Sequence, residues 1–440
     1  MRRDLQNLAD RRFDILVIGG GIHGLFAAYD AARRGLSVAL VEAGDFGGGL
    51  TFNHQRTLHG GLRALQSGNL LKARRQILER RTWAVIAPHL VRPLPFLIGT
   101  YRGTRRSRLT LRLGFAVYDA LGRSRNAGVT PELHLPHARL ETPTATRALF
   151  PGIAEHGLTG GALWYDYQTR HSDRLTWCVA LAAEKAGATL VNYTEAVAPL
   201  RIGDRIRGAV VHDRVGQVDY AVEAECTVIA AGSGLGRVHA TWGLGEAPPL
   251  LRAVNVLVDR PARDIALAAQ SASGRMLTAV PWVGHVLVGT HQSTKPVEAL
   301  EAEPPAEFVH DLLTQANAAF PPLDLTPADV RLVHHGLTPA TRQRSGEADL
   351  MPDHQVLRHS RRGVPGIVSL VGVKYTTARL AAADAIDAAL ADGRRSAPPG
   401  QTATEVLPHA GITDAEGRVI EHTRRLGITL EPATLAHLTS

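Results

Sequence analysis

The stretch FDILVIGGGIHGLFAAYDAARRGLSVALVEAGD, residues 13–45, spaces three glycines as Gly19, Gly21 and Gly24 and ends its second apolar run on an acid, Glu42. That spacing suits a ligand carrying a pyrophosphate. The first glycine makes a tight turn, the second lets backbone approach a phosphate, and the third lets a helix pack closely on the preceding strand. The helix would face the phosphates with unpaired N–H groups and the positive end of its dipole. Glu42 can accept hydrogen bonds from a ribose 2′-hydroxyl, where an arginine would have indicated a 2′-phosphate. The expected ligand is an adenine dinucleotide, against the competing reading of a doubly wound domain that binds nothing there. His23, inside the motif, reads as a helix-face residue.

A second chemical signal is Lys374, in LVGVKYTTARL, one of four lysines in a chain with forty-five arginines. It follows the Gly372 turn and precedes a long alanine-rich helix starting near Thr376, whose N-terminus can stabilise negative charge. Two more segments bear on the ligand. ECTVIAAGSGLG (225–236) is an apolar strand ending in a small-residue turn at Ala231 and Gly232, which permits close approach of a nucleotide. NHQRTLHGGLRAL (53–65) follows a glycine cluster, Gly47–Gly49, and offers Gly60 and Gly61 as further ligand contacts, with Thr51 just ahead of it. All three segments stand where a flavoprotein of the two-dinucleotide-fold type needs them, so FAD is expected rather than a nicotinamide.

These residues need a scaffold, and the chain is long enough for one: 440 residues suffice for two or three domains. The composition is that of a globular protein, 45% hydrophobic and 20% charged. Its apolar runs, such as IVSLVGV (367–373), fall far short of the roughly 18 residues of a spanning helix. The N-terminus is charged and has no apolar signal core. Cys178 and Cys226 lack metal-type spacing, so reduced thiols, a cytoplasmic setting and no metal are expected. A net charge of +8 suits an anionic partner, yet no nucleic-acid module accompanies it, and no nucleic-acid partner is expected.

In order along the chain, VIGGGIHG, TLHGGLRAL with ERRTWAVIAPHLVRP, LRLGFAVYDALG, VPWVGHVLVGTHQS and SLVGVKYTTARLAA resemble the FAD-dependent glycerol-3-phosphate dehydrogenase family, within the D-amino-acid-oxidase-like flavoproteins. The resemblance runs from about Phe13 to Leu390. It implies that Lys374, Arg63 and His59 lie beside flavin and substrate. Each has a plainer alternative: a solvated loop lysine, a surface helix charge, and a histidine satisfied by backbone. The chain also departs from the family. Thr338 stands where a substrate-phosphate arginine is expected, and a second such arginine falls near Pro352. Losing both removes charge-assisted bonds of ~1.5–3 kcal/mol each, for which Arg342 and Arg344 are candidate substitutes.

The resemblance implies oxidation of a secondary alcohol, glycerol-3-phosphate or a related polyol or polyol phosphate, by hydride transfer to flavin N5. For the base, His334 and His335 rank above His59 because they fall in the altered substrate segment. An amine or amino-acid oxidase, and a non-catalytic flavoprotein, are the alternatives. Quinone, oxygen or another carrier would reoxidise the flavin, and the basic amphipathic segment 101–125 offers an anionic membrane surface a docking face at the inner side of the cell membrane, with an ordinary partly buried helix as the alternative.

The expected fold class is α/β: a Rossmann-type FAD-binding domain from residues 12–95, 164–240 and 345–395, an inserted antiparallel-sheet substrate domain from 96–163 and 241–344, and a partial C-terminal helical segment, 396–440.

Overall fold

The computed structural model describes residues 3–102, 108–271, 274–298, 303–409, 415–432 and 434–435. It is built on two sheets. The first has a parallel core in the order Ile367–Val371, Val218–Ile229, Arg12–Ile18, Val38–Val41, Thr189–Val191. Gln355–Arg358 closes one edge antiparallel, and Thr194–Ile202 and Arg205–Asp213 extend from Val218–Ile229 as an antiparallel meander. Near-continuous apolar runs such as VALV suit strands covered on both faces.

Three helices cover one face. Ile22–Arg33 packs between Ser172–Lys185 and Ala378–Asp392. In the last of these, Ala381, Ala382, Ala385 and Ala389 are buried beside Ile386 and Leu390, and such small side chains let helix axes approach. Trp83 seals the layer from the Leu70–Ile86 helix, edge-on to Phe26 at 5.3 Å.

The second sheet has ten strands, running from Ala348–Leu350 through Val330–Arg342, Leu250–Pro261, His285–Gln292, Met276–Trp282, Ala266–Gln270, Val91–Tyr101 and Leu158–Thr169 to Thr57–Leu58, with Arg139–Glu141 on the side. Every pair is antiparallel except Ala266–Gln270 with Val91–Tyr101. It draws on chain from both sides of residues 95 and 163. The helix Ala306–Ala319 closes one face through Leu312, Leu313 and Ala316, packed with Val254, Val256 and Val288. At the C-terminal end the described residues include the helix Ala415–Arg425; residues 410–414, 433 and 436–440 of the expected helical segment lie outside them.

A polar cluster sits inside the first sheet's core. Ser369 Oγ lies 2.8 Å from His239 Nε2 and 2.9 Å from His359 Nε2, all three groups buried. One hydroxyl can donate to one imidazole while accepting from the other, and the ring it donates to must be neutral. Burial, then the neighbouring His239, pushes His359 down to about 4, and burial lowers His239 as well. The unfolded chain, titrating near 6.5, therefore binds more protons than the fold at mildly acid pH. Stability should be fully present above pH 6.5 and be lost as pH falls toward 4. Urea midpoints at pH 7.5 and 5 check this; equal midpoints would refute it.

Candidate active site at the sheet junction

The parallel strands end in register, Ile18 beside both Val41 and Ile229, and Ile229 beside Ser369. Their C-terminal ends therefore deliver Gly19–Gly24, Glu42, Ala231–Gly232 and Gly372–Thr376 to one edge, where the crevice of a doubly wound sheet opens. Gly19 has φ +109°, and a Cβ there would lie 2.5 Å from the Ala230 carbonyl oxygen. A Cβ on Gly24 would overlap the Gly19 carbonyl, so only glycine fits. Glu42 accepts from the backbone N–H of Gly20 at 2.6 Å and of Gly44 at 2.7 Å. Gly21 caps the Ile22–Arg33 helix without a side chain, and Thr51 Oγ1 accepts from Ile22 N–H at 2.9 Å instead. A cavity of about 310 Å³ extends from Gly19 and Glu42 past Ala231 to Thr194 and Arg237.

The Gly372–Thr376 turn closes over this edge. A Cβ on Gly372 would meet the His23 ring, so half-buried His23 packs against the turn, and its desolvation pushes it down to about 4. Trp83 Nε1 donates to the Thr376 carbonyl at 2.9 Å. Tyr375 stacks on His54 with ring centres 4.5 Å apart. Lys374 is half-buried in the same turn.

The His59–Gly61 segment is fixed from elsewhere. Thr57–Leu58 pairs antiparallel with Leu158–Thr169, Leu58 opposite Tyr167, which carries His59 across from Asp166. His59 Nδ1 is 3.1 Å from Asp166 Oδ2, while Asp166 Oδ1 accepts from Gly60 N–H at 2.8 Å and from Arg80 Nη1 at 2.6 Å. Tyr118 Oη donates to the Gly60 carbonyl and accepts from Arg80 Nη1, both at 3.0 Å. Burial alone would raise the Asp166 carboxyl; the His59 hydrogen bond and the Arg80 charge reverse this and hold it below the usual range. A Cβ on Gly60 would overlap Arg80 and Tyr118, and Gly61, at φ +85°, lies against the Ala73 backbone. The His59 side chain is 56% exposed.

His334 and His335 lie on Val330–Arg342 and face opposite ways. His334 is buried with Phe52 and Trp282 around it, and Gly336, on the same face, leaves no room for a Cβ beside Leu50. Burial, then the Arg56 charge, pushes His334 down to about 4. His335 shares the other face with Val333, which packs toward the Ala306–Ala319 helix. Thr338 Oγ1 donates to the Leu251 carbonyl at 3.2 Å. Next to Pro352, His354 is held by Asp384 at 2.7 Å and Asp353 at 3.3 Å; despite its burial these carboxylates raise it to about 9. Arg342 and Arg344 are exposed at a hairpin end, Arg342 4.0 Å from Glu246. Arg63 lies on the short helix Leu62–Gln66, its side chain outside the described residues.

The structure thus gathers the glycines, Glu42, Thr51, Ala231, Gly232, Gly372, Lys374 and Thr376 around one crevice, with His59 and His334 on the facing sheet and His335 turned away. It also adds Asp166, Arg80, Tyr118, His54, Tyr375 and Arg56. Arg80 and Tyr118 sit within ERRTWAVIAPHLVRP and LRLGFAVYDALG, segments whose spacing gave no role to either residue.

Residues 14–384 match the family model described as FAD dependent oxidoreductase. The chain belongs to that family. Among its relatives are glycerol-3-phosphate dehydrogenases from Synechocystis sp., 30% identical over 93% of this chain and 75% of that one, and from Mycobacterium leprae, 33% identical over 98% and 72%. The fold is also that of the glycerol-3-phosphate dehydrogenase from Bacillus halodurans solved with FAD, with a TM-score of 0.67 at 23% identity over 96% of this chain and 73% of that one.

The residues of this FAD-dependent oxidoreductase fit its cofactor. The glycine cradle leaves backbone free to approach a pyrophosphate, and the Glu42 carboxylate is of the type that would accept from a ribose hydroxyl. The buried Nε2 atoms of His23 and His54 find no side-chain or backbone partner among the described residues, as expected of groups near a polar ligand. Gly24→Ala should lose FAD, read as the flavin-to-protein absorbance ratio after gel filtration; an undiminished ratio would refute the cradle. Arg80→Met leaves Asp166 buried without its cation and should cost about 3–5 kcal/mol in urea unfolding.

Proposed function

We propose that this FAD-dependent oxidoreductase oxidises the secondary alcohol of a polyol or polyol phosphate, glycerol-3-phosphate being the first compound to test. The observation that carries the reading is His59 held against Asp166 at the open side of the crevice. Nδ1–H donated to Asp166 fixes the tautomer that leaves Nε2 as an acceptor, and the exposed ring is within reach of an incoming hydroxyl. FAD, when bound, supplies the hydride acceptor at N5, so that loss of hydride from carbon and of the hydroxyl proton to His59 yields a ketone. His59 takes precedence over the pair ranked ahead of it in the sequence: a histidine pushed down to about 4, as His334 is, makes a weak base at neutral pH, and His335 faces away.

Thr338 and Pro352 carry no charge, and Arg342 and Arg344 point into solvent, so recognition of a substrate phosphate falls to Arg63 and Lys374. We place the substrate half on the second sheet and the 310 Å³ cavity at the adenosine end of FAD. Anaerobic mixing with glycerol-3-phosphate, unphosphorylated polyols and amino acids tests the reading: a polyol or its phosphate should bleach the flavin, and bleaching by amino acids alone would sink it. His59→Ala should slow that bleaching by about 10²–10⁴-fold, measured by stopped flow.

For reoxidation we propose a quinone met at an anionic membrane surface. No helix among the described residues is long and apolar enough to cross a membrane. The helix Arg108–Leu121 exposes Leu109, Leu113 and Val117 along one stripe, with Arg112 beside them; Arg105 and Arg106 of the same segment lie outside the described residues. A basic amphipathic helix of this kind lies in the headgroup plane. The protein should pellet with vesicles containing phosphatidylserine and be released by salt; pelleting that is absent, or indifferent to salt, would count against docking.

A further inference from the structure

One stretch of chain, Thr51–Gly60, joins the two halves of the site, and its anchors change sides at a single step. Thr51 Oγ1 accepts from Ile22 N–H at 2.9 Å in the first turn of the cradle helix, and His54 Nδ1 lies 2.9 Å from the Thr51 carbonyl while its ring stacks on Tyr375. The next residue, Gln55, turns its side chain to the second sheet. Nε2 donates to the carbonyls of Thr278 at 3.1 Å and Gly289 at 3.0 Å, and Oε1 accepts from Thr278 Oγ1 at 2.8 Å. Thr278 and Gly289 are register partners on Met276–Trp282 and His285–Gln292, so one amide grips two strands with both of its hydrogens. The Gly289 end is held from behind: a Cβ there would lie 2.3 Å from Asn255 Oδ1, which accepts from Thr290 Oγ1 at 2.7 Å.

That grip supplies what Asp166 cannot. Asp166 ties His59 to Leu158–Thr169, and in the sheet order Val91–Tyr101 and Ala266–Gln270 stand between that strand and Met276–Trp282. Ala266–Gln270 pairs with Val91–Tyr101 only from Phe96 onward, whereas Asp166 stands opposite Leu94, ahead of that level. There side chains take over from the backbone ladder: Gln168 Nε2 donates to the Pro281 carbonyl at 2.6 Å, and Trp282 Nε1 to the Arg170 carbonyl at 2.9 Å. Gln55 is a third tie of this kind. Of the three it alone lies on the segment that carries His59, and it is half-buried where Gln168 is fully enclosed. The placing of His59 against Met276–Trp282, and against the strands of Gly289 and His334 beyond it, therefore runs through this one amide.

We propose that Gln55 is a positioning residue for the oxidation: by fastening the His59 segment to the Thr278–Gly289 pair, it sets the distance between the base and a donor seated against the second sheet. The inference rests on the reading of His59 as the base. Gln55 acts through His59 and not by contact with the donor, so its loss leaves binding in place and slows the step in which hydride and proton depart. A displacement of about 1 Å at a reacting group costs on the order of 10²-fold in rate.

Two variants test this. Gln55→Leu removes all three bonds, and Gln55→Glu sets a carboxyl against two carbonyl oxygens, which only its protonated form can meet. The readout is anaerobic stopped-flow bleaching by glycerol-3-phosphate, replaced by glycerol or alanine if one of those reduces the wild type faster, with urea midpoints and flavin-to-protein ratios measured alongside. Gln55→Leu should lower the limiting rate about 10–100-fold while the apparent donor Kd stays within about threefold. The Gln55→Glu rate divided by the wild-type rate, which cancels the protonation of His59 common to both, should rise as pH falls from about 9 to about 6. A wild-type limiting rate in Gln55→Leu, a Gln55→Glu ratio that stays flat with pH, or rate losses that only follow lowered urea midpoints would each overturn the proposal. Should Gln55→Leu not retain flavin, the Gln55→Glu ratio decides. Failure of all three donors to bleach the wild type, or a wild-type rate in His59→Ala, would remove the reading of His59 and this inference together; a slow His59→Ala beside fast Gln55 variants would remove the inference alone.

Discussion

One buried carboxylate ties the two halves of the site together. Asp166 accepts from Gly60 N–H, Arg80 and His59 at once. A strand of the second sheet, the His59–Gly61 turn, the Leu70–Ile86 helix and, through Tyr118, the Arg108–Leu121 helix thereby share a single electrostatic knot. Its members are buried apart from the His59 ring, which lends one edge to the knot and leaves the other at the surface. Any shift of the second sheet relative to the crevice would break charge-assisted bonds in a medium where water cannot replace them. The reacting geometry is consequently as rigid as this knot.

The dinucleotide half was legible in the sequence because its signals are local. Gly19, Gly21, Gly24 and Glu42 lie within one strand-turn-helix-strand unit, and each answers a steric or hydrogen-bonding demand set by near neighbours. Lys374 and Gly372 could be placed because a strand, a turn and an alanine-rich helix follow one another without interruption. The Asp166 knot was not legible: Asp166 lies 107 residues from His59 and 86 from Arg80, and no local period encodes that meeting. His334 and His335 show a subtler limit. Sequence marks both as unusual, but only the strand's facing decides that one looks into the crevice and the other toward a helix.

Proton occupancy is graded across the site. His23, His54 and His334 are held neutral by burial, His354 is held charged by two carboxylates, and only His59 combines an aligning carboxylate with access to solvent. Neutral rings around the crevice avoid adding to the charge of Arg56 and Lys374, so the local field is set by a few defined cations. The chain's many arginines therefore need not blur the electrostatics of the reaction: among the described residues many of those outside the site are paired in bridges or exposed at the surface.

The alternation along Val330–Arg342 has an evolutionary corollary. Because His334 and His335 differ only in which side of the strand they occupy, inserting or deleting one residue ahead of them would exchange their places, and with them every side chain that the strand shows to the crevice. The glycine cradle and the Asp166 knot lie on other strands and would be untouched. Changes of substrate in this lineage can thus arise by slippage in a single edge-proximal strand, with cofactor binding inherited intact.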